Sequence, residues 1–246
     1  MKSVITLFLI LSIVAGNAQT RLTPGERSFE KKWIKSETYT MTWYALKDTL
    51  KMEIGEVSTE VLKDKELLTI VTSVAMKNSK APWIDTTVAR LSTLAPIRHT
   101  SSNMQRDMVL NFGKVVTGQY NDKTKQVQTI VSDTTRAAYF DSNLYPALIT
   151  WLPLKDGYTQ DISIYDYNPT GKIGVIGAFI KNVTSGTFQS NKSGNREVWI
   201  VSVRDEISGD LIQTSMTYYI DKSDRRLWKQ EISAGARKML MQRKEL

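Results

Sequence analysis

The chain has 246 residues, 41% hydrophobic and 24% charged, with a formal net charge of +8. That balance suits a globular protein with a substantial core and excludes a disordered chain. Cys is absent and His99 is the only histidine, which excludes disulfides, thiol nucleophiles, Cys-ligated metal centres and multi-His metal sites.

Residues 1–18 read as a secretory signal peptide. Lys2 is a short basic start, residues 4–14 are apolar apart from Thr6 and Ser12, and Gly16-Asn17-Ala18 supplies small residues where a signal peptidase reads. The run is too short for a convincing membrane span. The mature protein is therefore expected to begin near Gln19 and to be exported, periplasmic or secreted, soluble after cleavage. Residues 19–246 are expected to form one domain.

Thr23-Pro24-Gly25-Glu26 reads as a helix start, with Thr23 as cap and Glu26 completing a capping box, so a short helix or turn is expected over about 24–33. From Glu37 onward the period is mostly two. Tyr39, Met41, Trp43 and Ala45 share one face. Leu50, Met52 and Ile54 share another, as do Leu68, Ile70, Thr72, Val74 and Met76, and then Met108, Leu110 and Phe112. Ile212, Thr214, Met216, Tyr218 and Ile220 repeat the pattern, followed by Trp228, Gln230 and Ile232. Such alternation marks antiparallel strands with one buried face. Residues 198–203 are apolar on both faces and read as a strand covered on both sides. Turn signals at Asn78-Ser79-Lys80, 111–114, Asn121-Asp122-Lys123, Ser208-Gly209-Asp210 and 221–224 suit a meander of hairpins. One segment breaks the pattern. Asp141-Ser142-Asn143 looks like a cap cluster, and Leu144, Tyr145, Leu148, Ile149 and Leu152 follow at helical spacing. A helix over 142–152 is expected, its apolar face buried or acting as a lid.

Chemistry is sparse. There is no G-x-S-x-G elbow, H-E-x-x-H motif or phosphate loop. Ser28-Phe29-Glu30-Lys31 matches S-x-x-K but lacks the K-T-G partner. Asp156, Asp161, Asp166, Asp205 and Glu206 are scattered carboxylates; a glycosidase would have to bring two together. His99 reads as a structural or surface residue at a strand edge or loop. No catalytic residue, metal or cofactor is assigned. The aromatics are more suggestive. Tyr39, Trp43, Met52, Trp83, Trp151, Tyr218 and Trp228 are the candidate lining of an apolar ligand cavity, or they fill the core. Basic residues crowd the C-terminal region, where Lys222, Arg225, Arg226, Lys229, Arg237, Lys238, Arg243 and Lys244 face few acids. That excess solubilises the surface or meets an anionic membrane or envelope partner. Nucleic acid is not expected.

Four segments, in order, resemble the domain of unknown function (DUF) 3108 family of exported bacterial proteins. They are residues 85–98, a strand followed by Leu94-Ala95-Pro96; residues 141–157, from Asp141-Ser142-Asn143 to Leu152-Pro153-Leu154-Lys155-Asp156-Gly157; residues 183–188; and residues 217–227 with the later Gly235. The resemblance implies a large curved antiparallel sheet similar to the half-barrel clam of periplasmic lipoprotein carriers. It implies no activity and no functional residues.

The expected fold is thus mainly β, a large curved antiparallel sheet with one or two short helices. The expected function is a non-enzymatic envelope protein holding a lipid or other apolar molecule in the concave face. The alternatives are a structural or protein-interaction module with a filled core, and a glycan hydrolase using paired carboxylates.

Overall fold

A computed structural model describes residues 21–25, 27–48, 50–207 and 214–245. The expected signal at 1–18, Glu26, the turn at Ser208-Gly209-Asp210 and Ile212 lie outside the described residues. Strands dominate: β1 (Glu37–Lys47), β2 (Leu50–Asp64), β3 (Leu67–Met76), β4 (Trp83–Arg90), β5 (Pro96–Ser102), β6 (Arg106–Asn111), β7 (Val115–Asp122) and β8 (Val127–Thr134) form a first meander. After a two-residue strand β9 (Phe140–Asp141) and the helix α1 (Tyr145–Trp151) comes a second meander. It consists of β10 (Gln160–Tyr167), β11 (Ile173–Ser190), β12 (Gly194–Asp205), β13 (Thr214–Asp221), β14 (Leu227–Ala234) and β15 (Arg237–Arg243).

All fifteen described strands join one sheet in the order β8-β7-β6-β5-β4-β3-β2-β1-β15-β14-β13-β12-β11-β10-β9. Each meander runs along its own half, and the halves are stitched where β1 pairs antiparallel with β15, Met41 opposite Arg243 and Trp43 opposite Met241. Among the described strands β9 and β10 pair in parallel, as does the isolated bridge of Leu22 with Ile162. A sheet this wide curls, and four register shifts add bend, at Trp43/Tyr44, Val88/Ala89, Ile180/Asn182 and Tyr219/Ile220. The two-residue turn from β14 to β15 has Gly235 at φ 59°, a left-handed position where glycine meets no Cβ penalty.

Helix α1 packs on the inner side. Leu144, Leu148, Ile149 and Leu152 have no exposed surface, and they join Met41, Val61, Leu68 and Ile70 of the first meander to Ile162, Val183, Val201 and Tyr218 of the second. Tyr145 of α1 also donates its hydroxyl to the Asp205 carboxylate. The helix is shorter than the 142–152 expected. Its N-cap position is Leu144, without a side-chain cap bond, because Asp141 and Asn143 are committed to other partners. The short helix or turn expected over 24–33 is a turn, with Ser28 N–H donating to the Gly25 carbonyl at 3.1 Å, followed by one 3-10 turn, Lys31–Trp33. The segment is anchored at both ends: Leu22 bridges to Ile162, and Glu30 N–H donates to the Trp151 carbonyl at 2.8 Å.

The sheet does not close. Its two ends, β8 and β9, are joined by residues 135–139, and they meet through side chains rather than a ladder. Met108, Leu110, Val116 and Val131 pack there with Tyr139, Tyr165 and Tyr167. Phe112, Tyr139 and Tyr165 form ring contacts 5.2–5.9 Å between centroids. Among the described residues no helix is long and apolar enough to cross a membrane.

Candidate functional site

The seven candidate lining residues do not share one cavity. Trp151 and Tyr218 are buried in the core around α1. Trp43 is half-buried, its indole N–H closed off without a hydrogen-bond partner. Met52, near the β1–β2 turn, and Trp83, at the start of β4, are 47% and 40% exposed. Tyr39 and Trp228 are brought together at one groove.

That groove, of about 390 Å³, opens where β1 meets β15. Tyr39, Trp228, Thr38 and Thr40 line it with Glu56, Lys192, Ser193, Arg226, Arg243, Lys244 and Glu245. Each aromatic carries an arginine. The Arg243 guanidinium lies 4.4 Å from the Tyr39 ring centre, and that of Arg226 lies 5.2 Å from the Trp228 ring. Such pairs gain from the ring quadrupole, and they leave the guanidinium groups facing the groove over rings that are themselves covered, Trp228 being 2% exposed. Arg243 Nη2 donates to Glu37 at 3.0 Å, whereas its Nη1 is buried with no partner. A buried guanidinium nitrogen without an acceptor is costly, and an entering anion would relieve that cost.

The wall opposite β1 is the tip of the β11–β12 hairpin. The Glu245 carboxylate pins it, accepting from the backbone N–H groups of Asn191 at 2.9 Å and Lys192 at 2.8 Å and from the Ser190 hydroxyl at 2.6 Å. The Ser190 hydroxyl and these N–H groups hold that carboxyl below its usual range. Pinning the tip sets Lys192 over the groove. A neighbouring hollow of about 420 Å³ shares Lys192, Arg243, Lys244 and Glu245 and adds Lys51. The cations therefore form a continuous basic rim. Of the groove's acids, Glu56 is paired with Lys244 and Glu245 is occupied by the hairpin. Below the rim, Trp228 is fixed by an indole N–H bond to Asp221 at 3.0 Å and by stacking on Phe188, ring centres 5.5 Å apart. Asp221 also takes Arg196 at 2.8 Å, and although burial opposes its charge, these donors hold its carboxyl far below the ordinary range.

The basic excess of the C-terminal region was legible in the sequence; its meeting with Tyr39 was not, because β1 and β15 lie at opposite ends of the described chain. The scattered carboxylates do not converge here. Asp205 takes the Tyr145 hydroxyl, Asp156 takes the N–H and hydroxyl of Ser185, and Asp166 takes the Ser142 hydroxyl. His99 is not at an edge: it sits within β5, buried, well away from the groove residues in the sheet order.

A family model described as "Protein of unknown function (DUF3108)" matches residues 38–242. No curated protein matches the sequence. Among solved structures, the crystal structure of a beta-barrel-like protein of domain of unknown function DUF1849 from Brucella abortus is similar, with a TM-score of 0.52 and 10% sequence identity. The likeness covers 92% of this chain and 98% of that one, and at this identity it speaks for the fold alone.

Proposed function

We propose, for a chain that belongs to the DUF3108 family and so inherits no assigned activity, that it is an exported, non-enzymatic envelope protein that binds the anionic head of a lipid at the β1–β15 groove. The carrying observation is Arg243, whose buried, unpartnered guanidinium nitrogen sits in an aromatic-floored groove rimmed by Lys192, Arg226 and Lys244. A phosphate or carboxylate head matches the cationic rim. The filled inner side favours the groove over the concave face as the lipid's place, since α1 already occupies that face with fully buried leucines.

The test is vesicle flotation with the chain lacking residues 1–18. Binding to phosphatidylglycerol vesicles and not to phosphatidylcholine vesicles is expected, falling as salt rises. Each rim cation near an anionic surface contributes about 1 kcal/mol, so Lys192→Ala should weaken binding about fivefold, and Arg243→Ala more. Equal binding to both vesicle types, or none, refutes the proposal.

The filled core also favours a second reading, a protein-interaction module acting through its surface. Native mass spectrometry of protein purified from its own envelope separates the two. Co-purified lipid supports the first reading. A clean apo mass with no lipid uptake supports the second.

A further inference from the structure

A second polar site lies at the open seam of the sheet, independent of the groove. Register builds it. On β4 and β5, Thr87 faces His99 and Asp85 faces Ser101, so four polar side chains share one face. Across the seam, β9 delivers Asp141, which is 1% exposed. Its carboxylate accepts from His99 Nδ1 at 2.9 Å, from the Thr87 hydroxyl and from the Asn143 backbone N–H at 3.3 Å. His99 Nε2 lies 3.7 Å from Asp85, an ion-pair separation longer than a hydrogen bond. Burial opposes the imidazolium, but the charge and hydrogen bond of Asp141, with the nearby charge of Asp85, outweigh it and push its pKa up to about 10. A histidine held this way keeps both protons and offers no base, so the dyad is not a nucleophile activator.

Beside it is a cavity of about 230 Å³ lined by Trp83, Asp85, His99, Arg106, Asp166 and Tyr165, among others. Three buried polar atoms of these residues have no hydrogen-bond partner: His99 Nε2, Arg106 Nε and the Tyr165 hydroxyl. His99 Nε2 and Arg106 Nε are donors here, and the Tyr165 hydroxyl both donates and accepts. The acceptors facing the same space are the carboxylates of Asp85 and Asp166. Burial, and after it the Asp141 charge, raise the Asp166 carboxyl, while Ser142 donates to one of its oxygens at 2.7 Å. At the mouth, the half-exposed Trp83 ring is oriented by bonds from its indole N–H to Asp85 at 2.9 Å and Ser101 at 3.1 Å. The Arg106 guanidinium lies 5.4 Å from that ring's centre.

Charges of both signs are interleaved here, His99 and Arg106 set against Asp85, Asp141 and Asp166, whose carboxyl burial raises. That balance selects against a strongly charged ligand. Paired donors and acceptors around an aromatic plane suit a molecule whose hydroxyls both give and accept hydrogen bonds and whose C–H face lies on a ring. The volume is below that of a drug-sized pocket and suits one six-membered ring. The geometry points to a binding subsite for a neutral, polyhydroxylated sugar ring at the seam, with Arg106 and His99 donating to ring hydroxyls, Asp85 and Asp166 accepting from them, and Trp83 under the ring.

The test is calorimetric titration, together with NMR of the Trp83 indole N–H (assigned through Trp83→Phe), of the chain lacking residues 1–18. The probes are glucose, galactose and N-acetylglucosamine, with glucosamine and glucuronate as charged counterparts. At least one neutral sugar should bind with Kd of about 1–10 mM and shift the Trp83 signal. Asp166→Ala should weaken it about tenfold by removing an acceptor, and Trp83→Ala, at a half-exposed position that spares the core, should weaken it comparably. No neutral sugar perturbing Trp83 at about 50 mM, tighter binding of either charged counterpart, or unchanged affinity in a folded Trp83→Ala chain would overturn the assignment.

Discussion

His99 and Asp141 tie β5 to the β9 end of the sheet with one buried ion pair, and the pH dependence of stability should carry their mark. The imidazole has a pKa raised from 6.5 to about 10 in the folded chain, so the folded state binds the proton more tightly than the unfolded one. The stabilisation is complete below about pH 6.5 and is lost as pH rises through about 10. Urea midpoints measured from pH 6 to pH 10 should therefore fall, and His99→Gln should flatten that slope while costing about 3–5 kcal/mol at pH 6. A wild-type midpoint that stays constant over this range would mean the pair contributes nothing. None of this was readable locally. Asp141-Ser142-Asn143 has the composition of a helix cap, and only the fold shows that its carboxylate and amide are spent on His99 and Thr87. A cap and a cross-seam ligand for histidine use the same short polar side chains, so sequence alone cannot separate them.

At the scale of elements, the helix was legible because Leu144, Leu148 and Leu152 recur every fourth residue and all face the core. Leu148→Ala should cost about 2–5 kcal/mol, read as a lowered urea midpoint, because the surrounding strands cannot collapse onto the gap. A loss below about 1 kcal/mol would mean the inner side is loosely filled. The strands were legible by their alternation, yet Met52, expected in a cavity lining, stands half in solvent, and Trp83, also expected there, is 40% exposed at the mouth of the seam cavity. Alternation says which face a side chain occupies. It does not say how far along a strand the core extends, and both residues lie near the outer ends of long hairpins. The bulges that bend the sheet left no pattern either, since an added residue only shifts the phase of the alternation.

For the whole molecule, the curved antiparallel sheet followed from many alternating runs and turns, whereas the pairing of β1 with β15 needed the fold. One core cluster draws on both meanders with α1 between them, so they should unfold together. Tryptophan fluorescence and far-UV circular dichroism in a urea titration are expected to give coincident transitions. Two separated transitions would mean that the meanders are independent units.

The join between β1 and β15 also sets the order in which the molecule is completed. On the ribosome, β1 is made before the other strands and its second neighbour is made after them. Until residues 237–243 emerge, β1 and β14 each present an unpaired strand edge, and the two half-sheets have no ladder between them. Open edges of that kind recruit other chains. A nascent chain that stalls before Arg237 would carry these two edges besides those of β8 and β9, which makes it a substrate for chaperones and proteases even though fourteen of the fifteen described strands are already written.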